Sequence, residues 1–158
     1  MKSKSARSAA CESQGFSIYS LVVDLQISSA KKICMPNLLY VDHDLTRLGE
    51  IQHQLSEHFQ LEVAFNGWEG FANSVMNKPD VVLLNLELPV MDGLEMVRLV
   101  RTETDCAHLI LLGFSLIELS SEFAETAERL GLNQLVEYPF AQQLPAELFK
   151  MLPVATQG

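Results

Sequence analysis

Two places in the sequence carry residues able to do chemistry. One is the run Asp42, His43 and Asp44, where an apolar stretch ends; the other is Asn85, directly after the apolar run Val81, Val82, Leu83 and Leu84. Carboxylates beside an imidazole are the raw material of a metal site, whereas the amide of Asn85 is neutral and is not a competent nucleophile. Asp42 with His43 has the donor types for a softer metal, but two ligands at adjacent positions make a poor site. Asp44 is placed to cap a helix, and Glu87 reads as a solvated loop acid. Cys11, Cys34 and Cys106 are odd in number and lack CxxC or Cys/His spacing, so neither a disulfide framework nor a zinc site is expected. On this reading the chain has no metal ligands and no catalytic residue.

The elements that must position these residues alternate strands and helices. From Asn37 the chain reads as a strand over 38–41, a helix with Leu45, Leu48, Ile51, Leu55 and Phe59 on its apolar face, and a strand over 61–65 closed by the turn pair Asn66 and Gly67. A helix over 68–77 follows, with Phe71 and Val75 inward, then the strand ending at Asn85. Its four-residue apolar run suits a strand covered on both faces. A loop with Pro89 and Gly93 leads to a helix over 91–102, a strand over 108–114, a helix over 116–130 closed by Gly131, a short strand over 134–137, and a last helix lined by Leu144, Leu148 and Met151. Five β/α units in this length predict an α/β fold, a doubly wound five-stranded parallel sheet with strand order 2-1-3-4-5. In such sheets ligands bind beyond the carboxyl ends of the strands, where Asp42 and Asn85 stand.

Charge narrows the partners. The 158 residues carry a net charge of -9, and residues 1–35 hold five Lys/Arg against two acids, so 36–158 carry -12. That balance argues against nucleic acid, whose binding depends on clustered Lys and Arg. No window reaches the ~18 apolar residues of a membrane span, and Glu12 and Gln14 interrupt any signal-peptide core. The expectation is a soluble, cytoplasmic protein without a membrane partner. Residues 1–35 differ from the rest: Ser, Ala and Lys with one apolar island, Ile18 to Ile27. They read as a poorly ordered extension, the alternatives being a strand or helix added to the domain, a partner-binding segment, or a leader ahead of a start at Met35; residues 36–153 form the domain and 154–158 a tail.

Four stretches, LLYVDHD at 38–44, VAFNGWEGF at 63–71, PDVVLLNLELPVMDGLEMV at 79–97 and GLNQLVEYPF at 131–140, together resemble the receiver domains of bacterial response regulators. The resemblance covers about residues 37–152 and implies a flavodoxin-like fold. It also implies where a phosphorylation site would stand: an acid pair at Asp42 and His43, a nucleophile at Asn85, a hydroxyl at Gly113 and a lysine at Tyr138. Only Asp42 keeps the family's chemistry. The resemblance is therefore to a degenerate, pseudo-receiver form lacking the phosphoacceptor Asp, with no cofactor and with Mg²⁺ binding lost or weak, since Mg²⁺ demands oxygen ligands. The aromatic residue of the family's signalling relay is replaced by Leu135. Tyr138 before Pro139 makes a cis bond plausible at the proline that follows the fifth strand.

The function this implies is a phosphorylation-independent, receiver-like protein-interaction module in two-component signal transduction, an atypical response regulator and not an enzyme. With no domain after Gly158, its output is expected to pass through a signalling partner. Glu118, Glu122, Glu125 and Glu128 on the fourth helix form an acidic face suited to a basic patch, against the plain alternative of a solvated helix. Trp68 is a second candidate anchor, against the alternative of a packed helix residue; an apolar patch around either would decide. Two other functions stand beside this one: a phosphoaccepting regulator using a non-standard residue, and a flavodoxin-like small-ligand binder. The loop after the first strand, DHDLTR, lacks the glycines of a phosphate loop and argues against the last.

Overall fold

The computed structural model describes residues 35–140 and 142–153. The expected extension over 1–35, apart from Met35, and the tail over 154–158 lie outside the described residues. Strands β1 (Asn37–Val41), β2 (Gln60–Ala64), β3 (Val81–Asn85), β4 (Ile110–Phe114) and β5 (Gln134–Val136) form one parallel sheet in the order β2-β1-β3-β4-β5. Helices α1 (Leu45–Leu55), α2 (Gly67–Asn77), α3 (Gly93–Thr102), α4 (Ser121–Leu130) and α5 (Leu144–Met151) connect or follow them.

Strand periodicity divides the core in two. Leu38, Tyr40, Val81, Leu83, Leu112 and Phe114 face Ile51 and Leu55 of α1 and Leu144 and Leu148 of α5. Leu39, Val41, Val82, Leu84 and Leu111 face Met96, Val97 and Val100 of α3 and Ala127 of α4, with Phe71 and Val75 of α2 packed alongside. Alternate residues of β3 feed opposite layers, so all five of its residues are buried. Each fully buried Leu or Val contributes roughly 1.5–3 kcal/mol by leaving water.

Helix boundaries follow the caps. The Asp44 side chain accepts from Thr46 N at 2.7 Å and starts α1. Asn66 is a cap and not half of a turn pair: its side chain accepts from Glu69 N at 3.0 Å, and the Glu69 carboxylate accepts from Phe65 N at 2.8 Å. Asp92 and Ser120 cap α3 and α4, so both helices begin later than periodicity alone predicts. Glu118 accordingly sits in the loop before α4. The stretch 104–106 is a 3-10 turn, and β4 begins at Ile110. Leu45 opens α1 exposed, and Phe59 is buried beyond the end of that helix.

Two glycines are fixed by close approach. A Cβ on Gly93 would lie 2.7 Å from Asn85 O and from Leu86 Cα, so the start of α3 could not close onto the end of β3. Gly131 takes φ 111° and ends α4, with Leu132 N donating to Ala127 O at 3.0 Å. Arg101 covers it: Nε donates to Gly131 O at 2.9 Å, Nη2 to Asn133 Oδ1 at 2.8 Å and Nη1 to Ala107 O at 3.2 Å. One guanidinium thereby joins the end of α3 to the turn before β5. Burial lowers its basicity.

Candidate functional site

The carboxyl ends of β1 and β3 lie side by side, and the sheet register carries Asp42 and Asn85 to the same edge. Asp42 is buried, and its two oxygens are enclosed by donors. Arg47 Nε donates to Oδ2 at 2.6 Å and Nη2 to Oδ1 at 3.0 Å, the two-pronged geometry of a guanidinium on a carboxylate. The Tyr40 hydroxyl donates to Oδ2 at 2.9 Å and Asn85 Nδ2 to Oδ1 at 3.1 Å. Burial pushes the Asp42 carboxyl up, but the hydrogen bonds from Arg47, Asn85 and Tyr40 outweigh it and hold the group below the usual aspartate range. Tyr40 is shifted upward, by burial first and then by the neighbouring carboxylate.

Arg47 is the residue that sequence reasoning missed. It lies on the first turn of α1, is itself buried, and also reaches Asp44 with Nη1 to Oδ2 at 3.0 Å. Its hydrogen bond to Asp42 raises its pKa despite burial. A signal was present: Arg47 is the sole Lys or Arg between residues 37 and 77, a stretch with six Asp and Glu. A lone cation five residues after a buried acid is a natural counter-ion.

Asn85 has a structural occupation at both ends of its amide. Its NH₂ faces Asp42, and its Oδ1 accepts from Glu87 N at 2.9 Å, pinning the first turn of the β3–α3 loop. These residues do not fit a magnesium ion. Arg47 engages both Asp42 oxygens, and the Asn85 oxygen is turned to the backbone, so no pair of free oxygens remains. His43 Nδ1 stands 3.5 Å from Asp42 Oδ1, half-exposed on the rim. Among the described residues no three His, Cys, Asp or Glu gather as a metal would need.

Other predicted positions are redistributed. Gly113 pairs with Leu84, and a Cβ on it would meet Leu86 and Leu132 in the layer away from Asp42. The residue paired with Asn85 is Phe114, whose buried ring stacks parallel to Tyr40 at 6.0 Å and meets Phe140 edge-on at 4.9 Å. Any side chain at 113 would therefore point away from the site, and an aromatic ring takes the place beside Asn85. Tyr138 packs on Phe114 and Phe140, and its hydroxyl donates to Glu50 Oε2 at 3.3 Å; the Tyr138–Pro139 peptide is cis. Tyr138, Phe114 and Phe140 pack ring on ring, with Phe114 on the strand position paired with Asn85.

Glu87 is not a free loop acid. The Ser115 hydroxyl donates to its Oε1 at 2.6 Å and Leu116 N to its Oε2 at 3.3 Å, tying the loop after β3 to the loop after β4. Glu118, Glu122, Glu125 and Glu128 are all exposed. Trp68 is 55% exposed at the start of α2, with Phe71 beside it edge-on at 6.5 Å. Leu135 is partly buried against the α3/α4 layer.

No family model matches the chain. Among curated proteins, a protein-glutamate methylesterase/protein-glutamine glutaminase of Pseudomonas aeruginosa is 42% identical over 86 residues, 54% of this chain and 23% of that protein. The transcriptional regulatory protein PrrA of Mycobacterium leprae is 30% identical over 70 residues, 44% of this chain and 30% of that protein. The chain thus spans under a third of the length of these relatives. Among solved structures, a chemotaxis response regulator of Vibrio cholerae superposes with TM-score 0.67 at 24% identity, covering 73% of this chain and 97% of that one. The receiver domain of a signal transduction histidine kinase from Syntrophus aciditrophicus gives 0.67 at 20% identity, over 77% and 92%. The fold is the flavodoxin-like receiver fold.

Proposed function

We propose that this receiver-fold chain is a phosphorylation-independent protein-interaction module of a two-component or related signalling network, and that it is not itself an enzyme. The observation that carries the reading is the Arg47 guanidinium closed over both oxygens of Asp42. In the family it resembles, acids at this edge hold a dication and a neighbouring aspartate takes a phosphoryl group. Here the Asp42 carboxylate is neutralised from within by Arg47. The nucleophile position is an amide engaged on both sides. Nothing in the Asp42 cluster has a reason to exchange its arginine for an ion, because a two-pronged, buried arginine pair is already satisfied.

The likeness to receiver domains, and to parts of a methylesterase and a transcriptional regulator, supports a place in signalling with a protein partner. No helix among the described residues is long and apolar enough to cross a membrane. The exposed acids Glu118, Glu122, Glu125 and Glu128 and the exposed Trp68 remain the surfaces offered to that partner. Incubation with acetyl phosphate and Mg²⁺, followed by intact-mass measurement, tests the reading. The expected result is an unchanged mass; a stable phosphoryl adduct would overturn it and favour a regulator using another acceptor.

A further inference from the structure

Six of the seven large apolar side chains exposed among the described residues lie at one end of the molecule. Leu45 opens α1, Phe65 follows β2, Trp68 opens α2, Val90 tops the β3–α3 loop, and Leu116 and Ile117 lie in the β4–α4 loop; only Met76 is elsewhere. All six belong to connections that leave the carboxyl ends of the strands. Neighbouring strands bring these connections together: Val41 pairs with Ala64 just before the loops to α1 and α2, and Gly67 approaches Met91, the residue after Val90. Val90 is 87% exposed and sits at φ 71°, a backbone region that β-branched residues avoid. Met91 N donates to Pro89 O at 2.8 Å across it, so the loop makes a tight γ-turn whose tip is a hydrocarbon in water.

Charge at this edge is predominantly acidic, with Arg98 reaching Glu95 at 3.9 Å from the second half of α3. Glu69, Asp92, Glu95, Glu118 and Glu122 are exposed in these connections or in the first turn of the helices they feed, and Arg47, the sole Lys or Arg there, is buried against Asp42. The other described cations, Lys78, Arg98, Arg101, Arg129 and Lys150, fall in the second half of a helix or just after it. Exposed apolar side chains gathered at one edge among acids are the composition of a binding surface. Its sign rejects phosphate backbones and anionic lipid headgroups. A second copy docked edge to edge would set acid against acid.

We propose that the carboxyl edge of the sheet docks a basic amphipathic helix of a partner protein, apolar side chains on Leu45, Trp68, Val90 and Ile117 and Lys or Arg against the surrounding acids. Such a helix lays its apolar face on the patch while its charged flanks set orientation and on-rate. This inference names the partner chemistry of the interaction module and rests on that reading. It is separable from phosphate acceptance, which is read by mass.

Trp68 is the single tryptophan of the chain and stands in the proposed contact. Titrating the full chain with a synthetic helical peptide of Leu and Lys is expected to shift Trp68 emission to the blue, saturably. The same peptide with Glu for Lys, and one with Ser for Leu, are expected to give no saturable shift. Leu45→Glu and Ile117→Glu, at exposed positions, are expected to weaken the Leu/Lys peptide about tenfold or more. Met76→Glu, an exposed apolar site away from the edge, is expected to bind as the unsubstituted chain does. Circular dichroism of each variant establishes that it is folded. Absence of a shift, a comparable response to the Glu or Ser peptide, or equal weakening by Met76→Glu overturns the proposal.

Discussion

Arg47 sits with Nε 2.6 Å and Nη2 3.0 Å from the two oxygens of Asp42, and both side chains are buried. Removing one partner leaves the other charge in a medium that does not solvate it. Arg47→Met is therefore expected to cost about 3–5 kcal/mol of unfolding free energy. The double variant Asp42→Asn, Arg47→Met is expected to recover much of that loss, because neither charge is then left uncompensated. Urea unfolding of the three proteins measures it, and equal losses for the single and double variants would contradict the pairing.

The same cluster sets a pH dependence. Asp42 is held below its ordinary range, so in acid the unfolded chain takes up a proton before the folded chain does. Its contribution is fully present above about pH 4, the unperturbed aspartate value, and is lost as pH falls through the lower folded value. Thermal midpoints followed from neutral pH downward are expected to drop more steeply for the natural protein than for the double variant. Parallel curves would show that Asp42 is not the group responsible.

Asn85→Asp is expected to give no rapid phosphorylation with acetyl phosphate and Mg²⁺. The new carboxylate would stand where the amide now lies 3.1 Å from Asp42, with Arg47 still closed over that acid and Phe114 packed on the neighbouring strand. Two carboxylates at that spacing do not both ionise readily. The variant should be less stable than the parent at neutral pH and regain part of the difference on mild acidification. Intact mass and a melting curve at two pH values test both halves, and fast labelling would contradict the account.

The strand order was legible because apolar runs bounded by turn residues mark buried strands, and β3 ends at Asn85 as its pattern predicts. Helix starts were less so. Asn66, Asp92 and Ser120 are capping residues whose neighbours also fit the apolar period, and only a formed hydrogen bond distinguishes them. The site was half legible: Asp42 and Asn85 meet as read. Gly113 does not join them, because one residue of register sends a side chain to the opposite face. Arg47 and the Glu87–Ser115 tie were missed because both link residues that only the folded chain, or the first turn of α1, brings together.

Val90 offers a test in which stability and binding move in opposite directions. Holding an L-residue at positive φ costs roughly 1–2 kcal/mol, and a β-branched side chain is among the least suited to it. Its side chain is 87% exposed, so burial does little to offset that cost. Asn tolerates this region better through local hydrogen bonding of its short polar side chain. Val90→Asn is expected to raise unfolding free energy by about 0.5–1 kcal/mol while weakening the Leu/Lys peptide seen by Trp68 emission. Strain kept in a loop whose tip is an exposed hydrocarbon makes sense if that hydrocarbon is used, the usual trade between stability and function. A loss of stability in urea would instead mean that the Val90 side chain supports the γ-turn, and that its exposure is incidental to binding.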